Sequence, residues 1–142
     1  MATINTYLTF NGNCEEAFNF YKSVFKSEFS YIGRFGKMPK SDDYSVSDED
    51  TNKIMHVSLP IVNTVLMESD TGGDWAPSFI QGNNFSVSIN TNSVNEADSL
   101  FNALSNGGQV TPMNHTFWGA YFGMFTDKFG ISWMVNFDEN PM

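Results

Sequence analysis

The sequence predicts an α+β chain: two βαβββ modules that form a curved mixed sheet cup with helices on the outer face. Three observations carry this. Thr6-Tyr7-Leu8-Thr9-Phe10 and then Asn13-Cys14-Glu15-Glu16-Ala17-Phe18 recur as Phe85-Ser86-Val87-Ser88-Ile89 and then Ser93-Val94-Asn95-Glu96-Ala97-Asp98. The copies lie about 80 residues apart, the mark of an internal repeat. Each copy opens its helix with a capping box, a small polar residue followed three positions later by Glu. Both opening strands alternate, so Leu8, Phe10, Phe85, Val87 and Ile89 can pack on helices. Their other sides (Asn5, Tyr7, Thr9; Asn84, Ser86, Ser88, Asn90) are expected to face the cup.

Ile4 to Phe10 reads as a half-buried strand, with Ile4 beside Leu8 and Phe10. Asn13 then caps a helix whose Ala17, Phe20, Tyr21, Val24 and Phe25 recur at three- and four-residue steps. A strand follows at about Phe29 to Phe35. Lys37 to Asn52 reads as a solvated acidic loop whose spacing fits no calcium loop. Strands Ile54 to Leu59 and Thr64 to Glu68 make a hairpin through Pro60-Ile61-Val62-Asn63. The second module repeats the order with strand Phe85 to Asn90, a helix from Val94 to Ser105 closed by Asn106-Gly107-Gly108, and strand Gln109 to Pro112. Aromatic strands near Trp118 to Phe125 and Ile131 to Phe137 finish it. The whole is one domain, 1–142, with module one at about 1–68, a linker at about 69–83 and module two at about 84–142.

At 142 residues, 41% hydrophobic, the chain can bury a core without disulfides, and its one Cys forms none internally. A net charge of -9 argues against nucleic acid or an anionic membrane as partner. No apolar run approaches a membrane span and no secretory signal opens the chain, so a cytoplasmic location is expected.

Several segments together resemble the vicinal oxygen chelate superfamily, which includes glyoxalase I, extradiol dioxygenases, fosfomycin-resistance enzymes and bleomycin-binding proteins. They are Tyr7 to Ala17, Lys53-Ile54-Met55-His56-Val57, Val65-Leu66-Met67-Glu68-Ser69-Asp70 and Gly82-Asn83-Asn84. The most specific are Thr116-Phe117-Trp118-Gly119-Ala120 and Thr126-Asp127-Lys128-Phe129-Gly130-Ile131-Ser132-Trp133-Met134. Within the superfamily the chain is similar to the PhnB-like branch, whose members often carry the label 3-demethylubiquinone-9 3-methyltransferase-like. The resemblance implies a glyoxalase-like fold and a homodimer. It places the metal enzymes' four ligand positions at Asn5, Met67, Asn84 and Met134. None of these is His, Glu or Asp, so a His/Glu site for a divalent metal is not expected there and no cofactor is assigned.

Two functions remain open. In the first, the chain binds a small aromatic or amphipathic molecule through Asn5, Tyr7, Met67, Asn84, Trp118 and Met134. In the second, a lyase, isomerase or oxygenase-like enzyme uses a relocated site of His56, Glu68 and Tyr7. His56, expected to share a face with Ile54 and Ser58, is either hydrogen-bonded within the sheet or at a dimer contact, or a pocket acid/base. Glu68 joins such a site only if a register slip brings it inward. His115 is expected in an exposed loop, and Cys14 in a structural role. Trp118 and Trp133 are expected in the core or a pocket wall. Tyr121 stands where the branch often has Arg. The label's methyl transfer lacks the Gly-rich strand-to-helix loop of a Rossmann enzyme. Trp75 or Phe79 is expected to cover a pocket floored by Tyr7, Asn84, Met67 and Met134.

Overall fold

The structure, a computed structural model, describes residues 2–37, 47–72 and 77–139. Residues 38–46 of the acidic loop and Trp75 lie outside the described residues. The chain divides into two compact units, Met1–Ile80 and Gln81–Met142. The first holds β1 (Thr6–Phe10), α1 (Cys14–Phe25), β2 (Tyr31–Arg34), β3 (Ile54–Ile61) and β4 (Thr64–Asp70). The second holds β5 (Val87–Asn90), α2 (Val94–Ser105), β6 (Gln109–His115), β7 (Ala120–Thr126) and β8 (Ser132–Asp138). Each unit is βαβββ with one four-stranded mixed sheet, ordered β1-β4-β3-β2 and β5-β8-β7-β6. In each, the first and last strands pair parallel and the others antiparallel.

One sheet face of each unit packs on its helix. In unit one Leu8, Phe10, Val57, Leu59 and Leu66 meet Ala17, Phe18 and Tyr21, all buried. In unit two Phe125, Trp133 and Val135 meet Ala97, Phe101 and Leu104. Ile4 does not extend the apolar face of β1; it precedes the strand and is 95% exposed.

The two helix starts differ. Ser93 accepts from the Glu96 N–H at 3.0 Å and Glu96 accepts from Asn92 N–H, a capping box shifted by one residue on its return arm. Asn13 makes no side-chain cap. Asp70, arriving from the end of β4, accepts from Gly12 N–H at 3.0 Å and Cys14 N–H at 2.9 Å in its place. At the other end of α2, Gly107 takes the left-handed turn (φ 85°), and a Cβ on Gly108 would stand 2.0 Å from the Thr126 carbonyl oxygen.

The β3–β4 hairpin is tighter than the sequence suggests, because β3 runs through Pro60 to Ile61 and only Val62-Asn63 turn. Val62 sits at φ 52° and is 96% exposed, a β-branched residue where hairpins favour glycine. Val62→Gly is therefore expected to raise stability by ~1 kcal/mol, relief of strain outweighing glycine's entropy cost. A thermal melt checks it, and no gain would show the turn to be relaxed.

Arg34 holds Glu15 through both carboxylate oxygens and donates to the Asn52 carbonyl at 2.8 Å. That hydrogen bond keeps the Glu15 carboxyl below its ordinary range, and its charge adds to the effect. The pair's contribution is present above the unfolded Glu pKa of about 4.3 and is lost as pH falls through the lowered folded value. Both side chains are partly exposed, so we expect less than ~1 kcal/mol. Glu15→Gln should remove that component from the acid limb of a stability–pH curve and leave stability at pH 8 lower by the same small amount.

Candidate functional site

In unit one the face away from α1 carries an aromatic and polar row. Cross-strand register aligns Tyr7 with Met67, Met67 with Ser58, and Ser58 with Tyr31. His56 joins them. Its ring centroid is 5.7 Å from Tyr7 and 5.9 Å from Tyr31. Its Nε2 lies 2.9 Å from Ser58 Oγ and its Nδ1 3.5 Å from the Tyr7 hydroxyl. Gly33 makes room, since a Cβ there would stand 2.6 Å from the Tyr31 hydroxyl. His56 does not share its face with Ile54. The register shifts between Gly33 and Arg34, leaving Met55 as an extra residue, so Ile54 turns into the core.

Glu68 is separated from this group. Leu8 and Glu68 are register partners, and Glu68 is 0% exposed on the face toward α1, where the Cys14 thiol donates to it at 3.8 Å. Tyr7 and Met67 point the opposite way, as alternation requires. Burial, then the Glu68 carboxylate, push the Cys14 thiol far above its ordinary range, so the helix dipole does not activate it.

In unit two the face away from α2 is defined by β7. Tyr121 donates to Asp98 on α2 at 2.7 Å and Phe125 meets Phe101 edge-on, so Phe122, Met124 and Thr126 face outward. A cavity of about 320 Å³ lies on this unit. It is lined by the polar residues Asn83, Ser86, Gln109, Thr111, Thr126 and Ser132 and bordered by Val110, Met124, Phe125 and Trp133; of these four, Met124 lies on the cavity face of the sheet, while Phe125 and Trp133 pack toward α2. Two cross-strand rows organise it: Gln109–Thr126–Ser132, and Thr111–Met124–Met134–Ser88.

The remaining expected site residues fall around these features. Asn5 and Asn84 are exposed, just before β1 and β5. Met67 and Met134 are half-buried on the outward faces of β4 and β8. The four residues expected to floor one pocket thus divide two and two between the units, and Phe79 is half-buried after a short turn at 77–78. Trp118 is not core: it is 61% exposed on the β6–β7 turn, against Phe117 and Phe122, because the strand begins only at Ala120. Trp133 is core, packed toward α2, and borders the cavity. His115 ends β6 rather than lying in a loop, exposed and paired with Glu139 at 2.8 Å. The hydrogen bond to Asp98 raises the Tyr121 phenol above its ordinary range, and that position presents no cation.

Comparison with known proteins assigns this arrangement. The family model described as 3-demethylubiquinone-9 3-methyltransferase matches residues 2–136, and the chain belongs to that PhnB-like family. Protein YjdN of Escherichia coli K12 is 32% identical over 141 residues, covering 94% of this chain and 93% of that protein. Protein PA1353 of Pseudomonas aeruginosa is 40% identical, with a TM-score of 0.82 over 97% of this chain and 98% of that one. A glyoxylase/bleomycin resistance protein/dioxygenase domain from Frankia, at 16% identity, shares the fold alone, with a TM-score of 0.63 over 100% and 95%. The chain thus has the fold of the glyoxalase/bleomycin-resistance proteins. Among the described residues no helix is long and apolar enough to cross a membrane.

Proposed function

We propose that this chain is a small-molecule-binding protein of the glyoxalase/bleomycin-resistance type that does not use the superfamily's divalent metal. The cavity of unit two carries the reading: it holds about 320 Å³, and Met124 stands in its lining among hydroxyl and amide groups. The resemblance carries the metal-ligand positions to Asn5, Met67, Asn84 and Met134, two neutral amides and two thioethers, a donor set that does not fit Ni, Zn, Mn or Fe. Among the described residues no three His, Cys, Asp or Glu side chains converge. Methyl transfer is not proposed, because β1 leads into α1 through Asn11-Gly12-Asn13, without a glycine-rich phosphate loop. The proposal includes a cytoplasmic homodimer, supported by the edge strands each sheet leaves and testable by light scattering at micromolar concentration.

Untagged protein, dialysed, is expected to carry no stoichiometric metal. A thermal-shift screen with metals and aromatic or amphipathic metabolites should find stabilisation among the organic compounds only, a ligand at 100 times its Kd contributing ~2.7 kcal/mol. Stoichiometric Ni, Zn, Mn or Fe would overturn the proposal.

The contacts among Tyr7, His56 and Ser58 favour a second reading, an enzyme in which His56 moves a proton on the face of unit one away from α1. Glu68, on the other side of the sheet, takes no part. Full activity of His56→Ala on any substrate found would remove this reading.

A further inference from the structure

We infer that the cavity of unit two selects uncharged ligands, molecules with an apolar face and hydroxyl, amide or carbonyl groups along one edge, and discriminates against their carboxylate and ammonium analogues. The inference rests on the ligand-binding reading above and sharpens it. In a chain of net charge -9, no Lys, Arg, Asp, Glu or His among the described residues lines this cavity. The two charged residues that follow its wall at Thr126 are engaged elsewhere. Asp127 turns its carboxylate to the Phe129 and Ile131 N–H groups and the Trp133 indole. Lys128 lies over the Phe129 ring, with its stem beside Gly107.

What remains is four hydroxyls and two carboxamides, each able both to donate and to accept. A neutral amide or alcohol exchanges its water hydrogen bonds for these at little net cost. A carboxylate or ammonium loses part of its hydration and meets no counter-charge, so its binding is weaker. The rows add orientation. Gln109, Thr126 and Ser132 stand across three adjacent strands as a polar line, and Met124 stands in the next row with its polarisable thioether. A flat amphipathic ligand lying across the strands can set its polar edge on the first row and its apolar face on Met124.

The test is a titration of the full chain, labelled with ¹³C at its methionine methyls, with matched triplets that differ only in charge. Indole-3-acetamide, indole-3-acetate and tryptamine form one triplet; hexanamide, hexanoate and hexylamine form another. Met124 is the methionine in the cavity wall, and its methyl reports the site. The amides are expected to shift that methyl and to bind at least ~10-fold tighter than either charged partner. Ser132→Asp should reverse the order toward the amines; Ser86→Asp, outside β5, serves if the first variant does not fold. An acetate or amine that binds at Met124 as tightly as its amide overturns the selectivity and leaves the ligand site standing. If no member of either triplet moves the Met124 methyl, the cavity is not a ligand site and both readings fall.

Discussion

Asp70→Ala is expected to destabilise the protein by about 3 kcal/mol, read as a lower urea midpoint with an unchanged slope. Asp70 is buried at the end of β4, and its one carboxylate holds three backbone donors at two junctions. Oδ1 accepts from Gly12 and Cys14 at the start of α1, and Oδ2 accepts from Ile54 N–H at 2.9 Å at the start of β3. Removing it costs α1 its cap, typically ~1 kcal/mol, and leaves three backbone donors without this partner, at ~1–3 kcal/mol for any that stays dry. A negative charge at a helix N-terminus adds a favourable dipole term that alanine also loses. Asp70→Asn keeps the shape and one acceptor oxygen, so its loss should be smaller. A loss below ~1 kcal/mol for the alanine variant would mean that water reaches these donors. Amide exchange at Gly12, Cys14 and Ile54 would separate the two cases.

Asp70 also shows what the sequence could and could not reveal. The order βαβββ, twice, was legible because periodicity is a local property, and each strand and helix carries its own. Ser93 and Glu96 form their box within four residues, so that cap was legible too. The cap of α1 was not, because its acceptor, the Asp70 carboxylate, arrives from 58 residues away along the chain. The site depended on parity in the same way. Pairing Leu8 with Glu68 buries Glu68 and exposes Met67, and the extra residue at Met55 sends Ile54 inward and leaves His56 outward. A period-two reading cannot see such a bulge. The meeting of Tyr7 with His56 follows from the strand order β1-β4-β3, which no local signal fixes. In unit two, the polar stripe of the opening strand includes Ser86, which lines the cavity. Thr126 and Ser132 lay inside a motif already singled out, but only the register of three strands brings Gln109 beside them. Aromatic content extends the predicted strand back to Trp118, whereas Thr116 to Gly119 are a turn closed by Thr116 bonds to Ala120.

The second large effect is expected at Asp127. Asp127→Ala should destabilise by about 3 kcal/mol and weaken the near-ultraviolet circular dichroism of Trp133. The carboxylate holds the β7–β8 turn together from inside: Oδ1 accepts from Phe129 N–H at 2.9 Å and Ile131 N–H at 3.0 Å. Oδ2 accepts from the Trp133 indole at 2.8 Å. Around it the main chain closes on itself, with Asp127 N–H donating to Ile131 and Gly130 N–H to Asp127, and Gly130 supplies the positive φ of 88°. Trp133 is 1% exposed and stacked at 12° on Phe125, so an indole N–H that loses Asp127 has no easy route to water. Its orphaning costs more than a surface hydrogen bond would. Trp133→Phe removes the donor and keeps an aromatic ring, so Asp127→Ala should cost ~1–2 kcal/mol less in that background. Additive losses would assign the whole effect to the two backbone donors and release Trp133 from the account. The turn joins Thr126 to Ser132, two walls of the cavity, so Asp127→Ala should also loosen the cavity where these strand ends meet. The Met124 methyl should broaden in Asp127→Ala and stay sharp in Val62→Gly, which alters a turn of unit one.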